Sequence, residues 1–78
     1  MNAKDAARHI VTTSGQSHRA IAAKMDKSAA YVSVMLSKDV VPKADTLAEL
    51  AHACGYELIL RGHGEELVID GRDVSGEV

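Results

Sequence analysis

The chain has 78 residues, a mass of 8.3 kDa and 46% apolar residues. That composition describes one small globular domain, and excludes both a second core and a wholly disordered chain. The net charge of −2 is unevenly divided: residues 1–43 hold seven Lys/Arg against three Asp (+4), and residues 44–78 hold two Arg against eight acids (−6). The split suggests an anionic partner for the first half alone; an ordinary solvated surface is the competing reading. Tyr31 and Tyr56 are the whole aromatic supply, so the core must be aliphatic. So small a core gives marginal stability, for which dimerisation is a common remedy. A lone Cys54 cannot form an internal disulfide. No apolar run reaches the roughly 18 residues of a membrane span, and the N-terminus has no signal-peptide pattern. No membrane partner and a cytoplasmic location are therefore expected.

The first element expected is a helix from Asn2 to Thr13. Asn2 can cap it, Asp5 can complete a capping box, and Ala3, Ala6, Ala7, Ile10 and Val11 form one stripe. Gly15 is its natural stop. Ser17 can cap a short helix running to about Lys24, with Ala20, Ile21 and Met25 inward. A tight turn over Met25–Ser28 follows, where Asp26 is among the few non-glycine residues that tolerate positive φ. Ser28 can cap a helix over about Ala29 to Ser37, with Val32, Met35 and Leu36 pointing inward. Lys38 to Val41 reads as a loop closed by Pro42, the only proline. A fourth helix runs from Lys43 or Ala44 to Cys54, burying Leu47, Leu50, Ala51 and Cys54 and ending at Gly55. The period then changes. Residues 56–61 and 65–70 read as strands, with Gly62-His63-Gly64 between them as a hairpin connection. Residues 72–78 are polar and expected to fray.

Two short helices, each preceded by Ser and separated by a tight turn, match the helix-turn-helix pattern. In that motif the first helix braces on the DNA backbone and the second presents its N-terminal residues to base edges. The run from Ser17 to Ser33 resembles the phage repressor/Cro (XRE) family, whose usual pattern is Thr-Gln-x-x-Leu-Ala-x-x-x-Gly-x-Ser-x-x-x-Ile-Ser. Ser17 stands at the first cap, Ile21-Ala22 at Leu-Ala, Ser28 at the second cap and Val32-Ser33 at Ile-Ser. Pro42 to Gly55 is similar to the family's Pro-Ser-x-x-Thr-Leu-x-x-Leu-Ala-x-Ala-Leu-Gly, at matching spacing. The resemblance covers about residues 8–56. It implies a mainly α fold, a four-helix Cro/repressor-like helix-turn-helix domain over residues 1–55, followed here by a hairpin over 56–71 and a tail over 72–78.

The resemblance further implies a double-stranded-DNA-binding regulator, acting as a repressor, with contacts from Ser17, His18, Arg19, Lys27, Ser28, Ala29, Ala30, Tyr31, Ser33 and Lys38. Arg19, Lys27, Lys38 and His18 would meet phosphates. Ala29, Ala30, Tyr31 and Val34 occupy the family's base-reading positions, and three of these have no side chain that can hydrogen-bond. Asp26 replaces the turn glycine, His18 replaces Gln, and Lys43 occupies a capping position. The alternative is a protein-interaction module on the same fold, such as a toxin-neutralising antitoxin.

Where many family members continue with a fifth helix, this chain has its hairpin, similar to HipB-type antitoxins. A lone hairpin with apolar residues on both faces is marginal in water. Tyr56, Leu58, Ile59, Leu60, Leu67, Val68 and Ile69 are therefore expected to form a homodimer contact. Folding back on the chain's own helices is the competing reading. No catalytic residue, metal ligand or cofactor is assigned. His52-x-Cys54 is the closest approach to metal spacing, and Cys54 is expected on a buried helix face. Asp70 and Asp73 lie at a strand end and in the tail, with no pocket apparent.

Overall fold

The computed structural model describes residues 1–38 and 41–71. Among these, four helices are followed by one antiparallel hairpin. The helices are α1 (Ala3–Ser14), α2 (His18–Lys24), α3 (Tyr31–Ser37) and α4 (Ala44–Ala53), and the strands are β1 (Leu58–Gly62) and β2 (Glu65–Ile69). The expected loop over 38–41 lies partly outside the described residues, and the expected frayed tail over 72–78 lies wholly outside them. No helix among the described residues is long and apolar enough to cross a membrane.

The helix ends follow from the sequence with one exception. Asn2 Oδ1 accepts the Asp5 amide at 2.8 Å and the Asp5 carboxylate accepts the Asn2 amide at 3.4 Å, completing the capping box of α1. At the other end the Gln16 amide donates to Ser14 Oγ, and the Ser14 hydroxyl donates to the Val11 carbonyl. Ser17 Oγ accepts the Ala20 amide at 3.0 Å and caps α2. Such a cap contributes about 1 kcal/mol. The exception is Ser28. Its side chain caps nothing, and its carbonyl accepts the Tyr31 amide at 3.0 Å instead. Residues 28–31 thus close a backbone turn, and α3 begins two residues later than expected, after Ala30.

α2 and α4 end alike. Lys27 N–H donates to the Ala22 carbonyl and Asp26 N–H to that of Ala23. Tyr56 N–H donates to the Ala51 carbonyl and Gly55 N–H to that of His52. Both are Schellman closures, which need a left-handed residue just past the helix. Gly55 supplies it at φ 85° and Asp26 at φ 60°. The second closure also turns Tyr56 onto the core. Tyr56 thus packs, partly buried, on the core of its own chain.

The core gathers one stripe from each helix. Ile21, Val32 and Leu50, from α2, α3 and α4, are fully buried, and Ala7, Ile10 and Val11 of α1 close over them. Met35, Leu36 and Leu47 pack partly buried at the margin. Ala22, Ala48 and Ala53 are also buried, though they fall outside the expected inward sets. Arg8 ties α1 to α3 by donating to the Leu36 carbonyl at 3.0 Å. Cys54 is buried and free. Burial pushes its thiol up, against the opposing pull of a Ser14 hydrogen bond and the Lys24 charge.

In the hairpin Leu58 pairs with Ile69, Ile59 with Val68, Leu60 with Leu67, Arg61 with Glu66 and Gly62 with Glu65. Gly62 is therefore part of β1 and the connection is two residues long. His63 and Gly64 hold φ of 51° and 75°, the geometry of a type I′ turn, whose twist suits paired strands. β1 packs on α4, and the backbone of Gly71 lies against Asp45 and Glu49. The hairpin thus rests in part on its own helices. Leu58, Ile59 and Ile69 are half-buried, whereas Leu60, Leu67 and Val68 are 55%, 52% and 57% exposed.

Leu50→Ala should cost about 2–5 kcal/mol in urea unfolding, whereas Leu60→Ser should change stability by less than about 0.5 kcal/mol. Equal losses would contradict the burial pattern. For Cys54 the folded chain holds its thiol proton more tightly than the unfolded chain. Its contribution to stability is therefore full below the ordinary thiol value of about 8.5 and falls as pH rises beyond it. A Cys54→Ala chain should lack that part of the loss when urea midpoints at pH 7 and pH 10 are compared.

Candidate nucleic-acid interface

All of the expected contact residues except the half-buried Tyr31 are exposed, because the core claims the opposite side of the same helices. Val32 is fully buried, and its neighbours Ser33 and Val34 are exposed. Residues 26–30, which link α2 to α3, are all exposed. That run includes the expected Lys27, Ser28, Ala29 and Ala30. Ser17, His18 and Arg19 at the start of α2 are exposed as well. Arg19 has neither a hydrogen bond nor an ion pair among the described residues, so its guanidinium is available to an anion.

Two side-chain contacts join this surface. His18 Nδ1 lies 2.8 Å from Ser33 Oγ, bridging the first residue of α2 to the middle of α3. When the hydroxyl donates to Nδ1, the neutral ring carries its proton on Nε2 and keeps a donor on its far edge. Lys27 Nζ sits 5.5 Å from the centre of the Tyr31 ring, within cation–π range. Tyr31 is half-buried and packs against the core. It is therefore less exposed than its place next to Val32 suggests, because the late start of α3 sets it in the first turn, with its ring against the body.

Tyr31 also begins a groove of about 380 Å³ that continues along α3 past Val34, Met35 and Lys38 to Pro42, Lys43 and Thr46 at the start of α4. Lys38 and Lys43 give it a basic margin. The expected site omits Pro42, Lys43 and Thr46. Pro42-Lys43, two residues before the fourth helical run, was the available clue, because a short connection leaves the start of that helix beside the end of the third. Arg8 was also missed; nothing in its spacing distinguishes its carbonyl contact from simple solvation.

A larger depression of about 650 Å³ lies between α2, α4 and the hairpin, with Lys24, Asp26, Glu49, His52, Cys54 and Asp70 among its lining residues. Among the described residues no group of three His, Cys, Asp or Glu side chains is placed to hold a metal ion. Comparisons with protein-family models, curated proteins and solved structures find no match to this chain.

Ser33→Ala should release the His18 ring from its fixed partner. In imidazole ¹⁵N spectra of the neutral ring, one tautomer should dominate in the native chain, and the substitution should return the mixture toward that of a solvated histidine. Identical spectra would show that the His18–Ser33 contact has no hold on the ring.

Proposed function

We propose that the chain is a DNA-binding regulator of the Cro/repressor-like helix-turn-helix kind. In this reading α2 braces on the phosphate backbone and α3 enters the major groove. The observation that carries it is the exposed surface of residues 26–30, Ser33 and Val34, backed by a fully buried Val32 and including Lys27, with Arg19 and Lys38 exposed as well. The Asp26 turn supports it too, since a left-handed residue there sets the angle between the two helices.

The division of labour follows from the side chains. Arg19, Lys27 and Lys38 are cations suited to phosphate. His18 can donate from Nε2 without carrying charge while Ser33 holds Nδ1. The Ser17 oxygen accepts the Ala20 amide, and its own O–H remains a donor. Ala29, Ala30 and Val34 lack hydrogen-bonding groups. Their chemistry suits close approach of α3 to the groove floor and contact with thymine methyl groups. Affinity would then come mainly from phosphates, and discrimination from shape and methyl contacts.

The same apolar residues favour a second reading, a protein-binding module such as a toxin-neutralising antitoxin. Val34 is 46% exposed and opens onto the groove between α3 and α4, which suits an apolar partner side chain. Repression and toxin binding are compatible on one chain.

Fluorescence anisotropy with the gene's own upstream duplex and a scrambled duplex, at two salt concentrations, separates these readings. Binding should weaken steeply with salt, and Arg19→Ala should weaken it equally on both duplexes while lowering the salt slope by about one. A change confined to one base pair would move Arg19 from phosphate contact to base reading. Failure to bind either duplex would leave the protein-binding module.

A further inference from the structure

We infer that residues 73–78 dock, extended, in the groove between α3 and α4 and form an intramolecular strap over α3. The docking stands on the groove and on the pattern of the tail itself. What the strap would regulate rests on the proposed function.

The groove lies within reach of the tail. Gly71, the last described residue, packs against the Asp45 carbonyl and the Glu49 side chain of α4. The residue after Asp45 is Thr46, which lines the groove with Pro42 and Lys43. The chain therefore leaves the hairpin beside the α4 wall of the groove. Seven extended residues cover up to about 23 Å, whereas the seven residues of α3 span roughly 10 Å.

The two surfaces are complementary. Val34, Met35 and Pro42 give the groove an apolar lining, and the exposed Lys38 and Lys43 give it a basic margin. Neither ammonium has a hydrogen bond or ion pair among the described residues. In extended backbone, successive side chains take opposite sides. The tail then carries Val74, Gly76 and Val78 on one edge and Asp73, Ser75 and Glu77 on the other. The valine edge suits the apolar lining, and the acidic edge suits the lysines. With the tail entering at Thr46, Asp73 would meet Lys43 and Glu77 would meet Lys38.

Tethering favours this occupant over a foreign one. A segment on so short a link faces the groove at an effective concentration near millimolar, so weak contacts suffice to fill it. The strap covers Val34 and Lys38, which the proposed function sets against DNA. DNA and tail therefore compete for α3, and apparent affinity falls with the fraction of time the groove is filled.

Variants of the whole chain test the docking in ¹H–¹³C methyl spectra, without DNA. Val74→Ser should move the Val34 and Met35 methyl signals and leave those of the buried Ile21 and Leu50 in place. Lys43→Glu should displace the same signals, and Asp73→Lys added to it should bring them back. Unmoved Met35 signals in Val74→Ser, or no recovery in the charge-swapped chain, would overturn the docking. In anisotropy titrations Val74→Ser, which leaves the charge unchanged, should tighten binding to the upstream duplex about threefold, the factor for a groove filled two-thirds of the time. Displaced methyl signals with unaltered affinity would refute the competition and retain the strap. Failure of both chains to bind DNA would sink the proposed function, while the methyl signals still decide the docking.

Discussion

Everything else in this molecule depends on three aliphatic side chains from three helices meeting without water between them. Ile21, Val32 and Leu50 are fully buried, and no Phe or Trp is present to supplement them. Burying each contributes on the order of 1.5–3 kcal/mol, a large share of the stability expected of a chain this size. Val32 matters most to the surface. Its inward rotation fixes the azimuth of α3 and thereby decides that Ser33 and Val34 face outward.

Much of this was legible in the sequence because it is local. The Asn2/Asp5 capping box, the Ser17 cap and the left-handed Asp26 are short-range features found where expected, and the change of period after Gly55 gives its first strand two residues later than expected, from Leu58. What was not legible depends on how close the elements come. Ala22, Ala48 and Ala53 are buried because helices approach one another tightly there, and small side chains carry no outward sign of that. Ser28 is a good capping residue by type, but the turn through residues 28–31 takes its carbonyl and leaves its hydroxyl unused. Tyr56 reads as a strand residue until the closure of α4 turns it inward.

The candidate site was legible to the same depth. The sequence proposes its residues by type and spacing, and the structure adds which of them touch. His18 and Ser33 are fifteen positions apart, and only the packing of α2 on α3 joins them. Lys27 and Tyr31 are joined across the turn. Both contacts draw on residues that could otherwise point freely into solvent. The surface is thus partly organised in the free chain, and in the proposed function that order would lower the entropy lost on binding. The contrast with Arg19 and Lys38 is physical. Those long side chains keep their freedom.

The close passage of the backbone at residue 71 has a consequence for how this sequence can drift. An added Cβ there would collide with the Asp45 carbonyl oxygen and the Glu49 side chain, and the residue sits at φ 79°. At the tip of the same hairpin, position 64 also has positive φ but opens into free space. Conformation alone restrains the tip, whereas conformation and volume together restrain the root. The loop end admits other residues at the cost of backbone strain alone, while the root admits one amino acid. The hairpin can therefore diversify at its far end without losing its seat on α4.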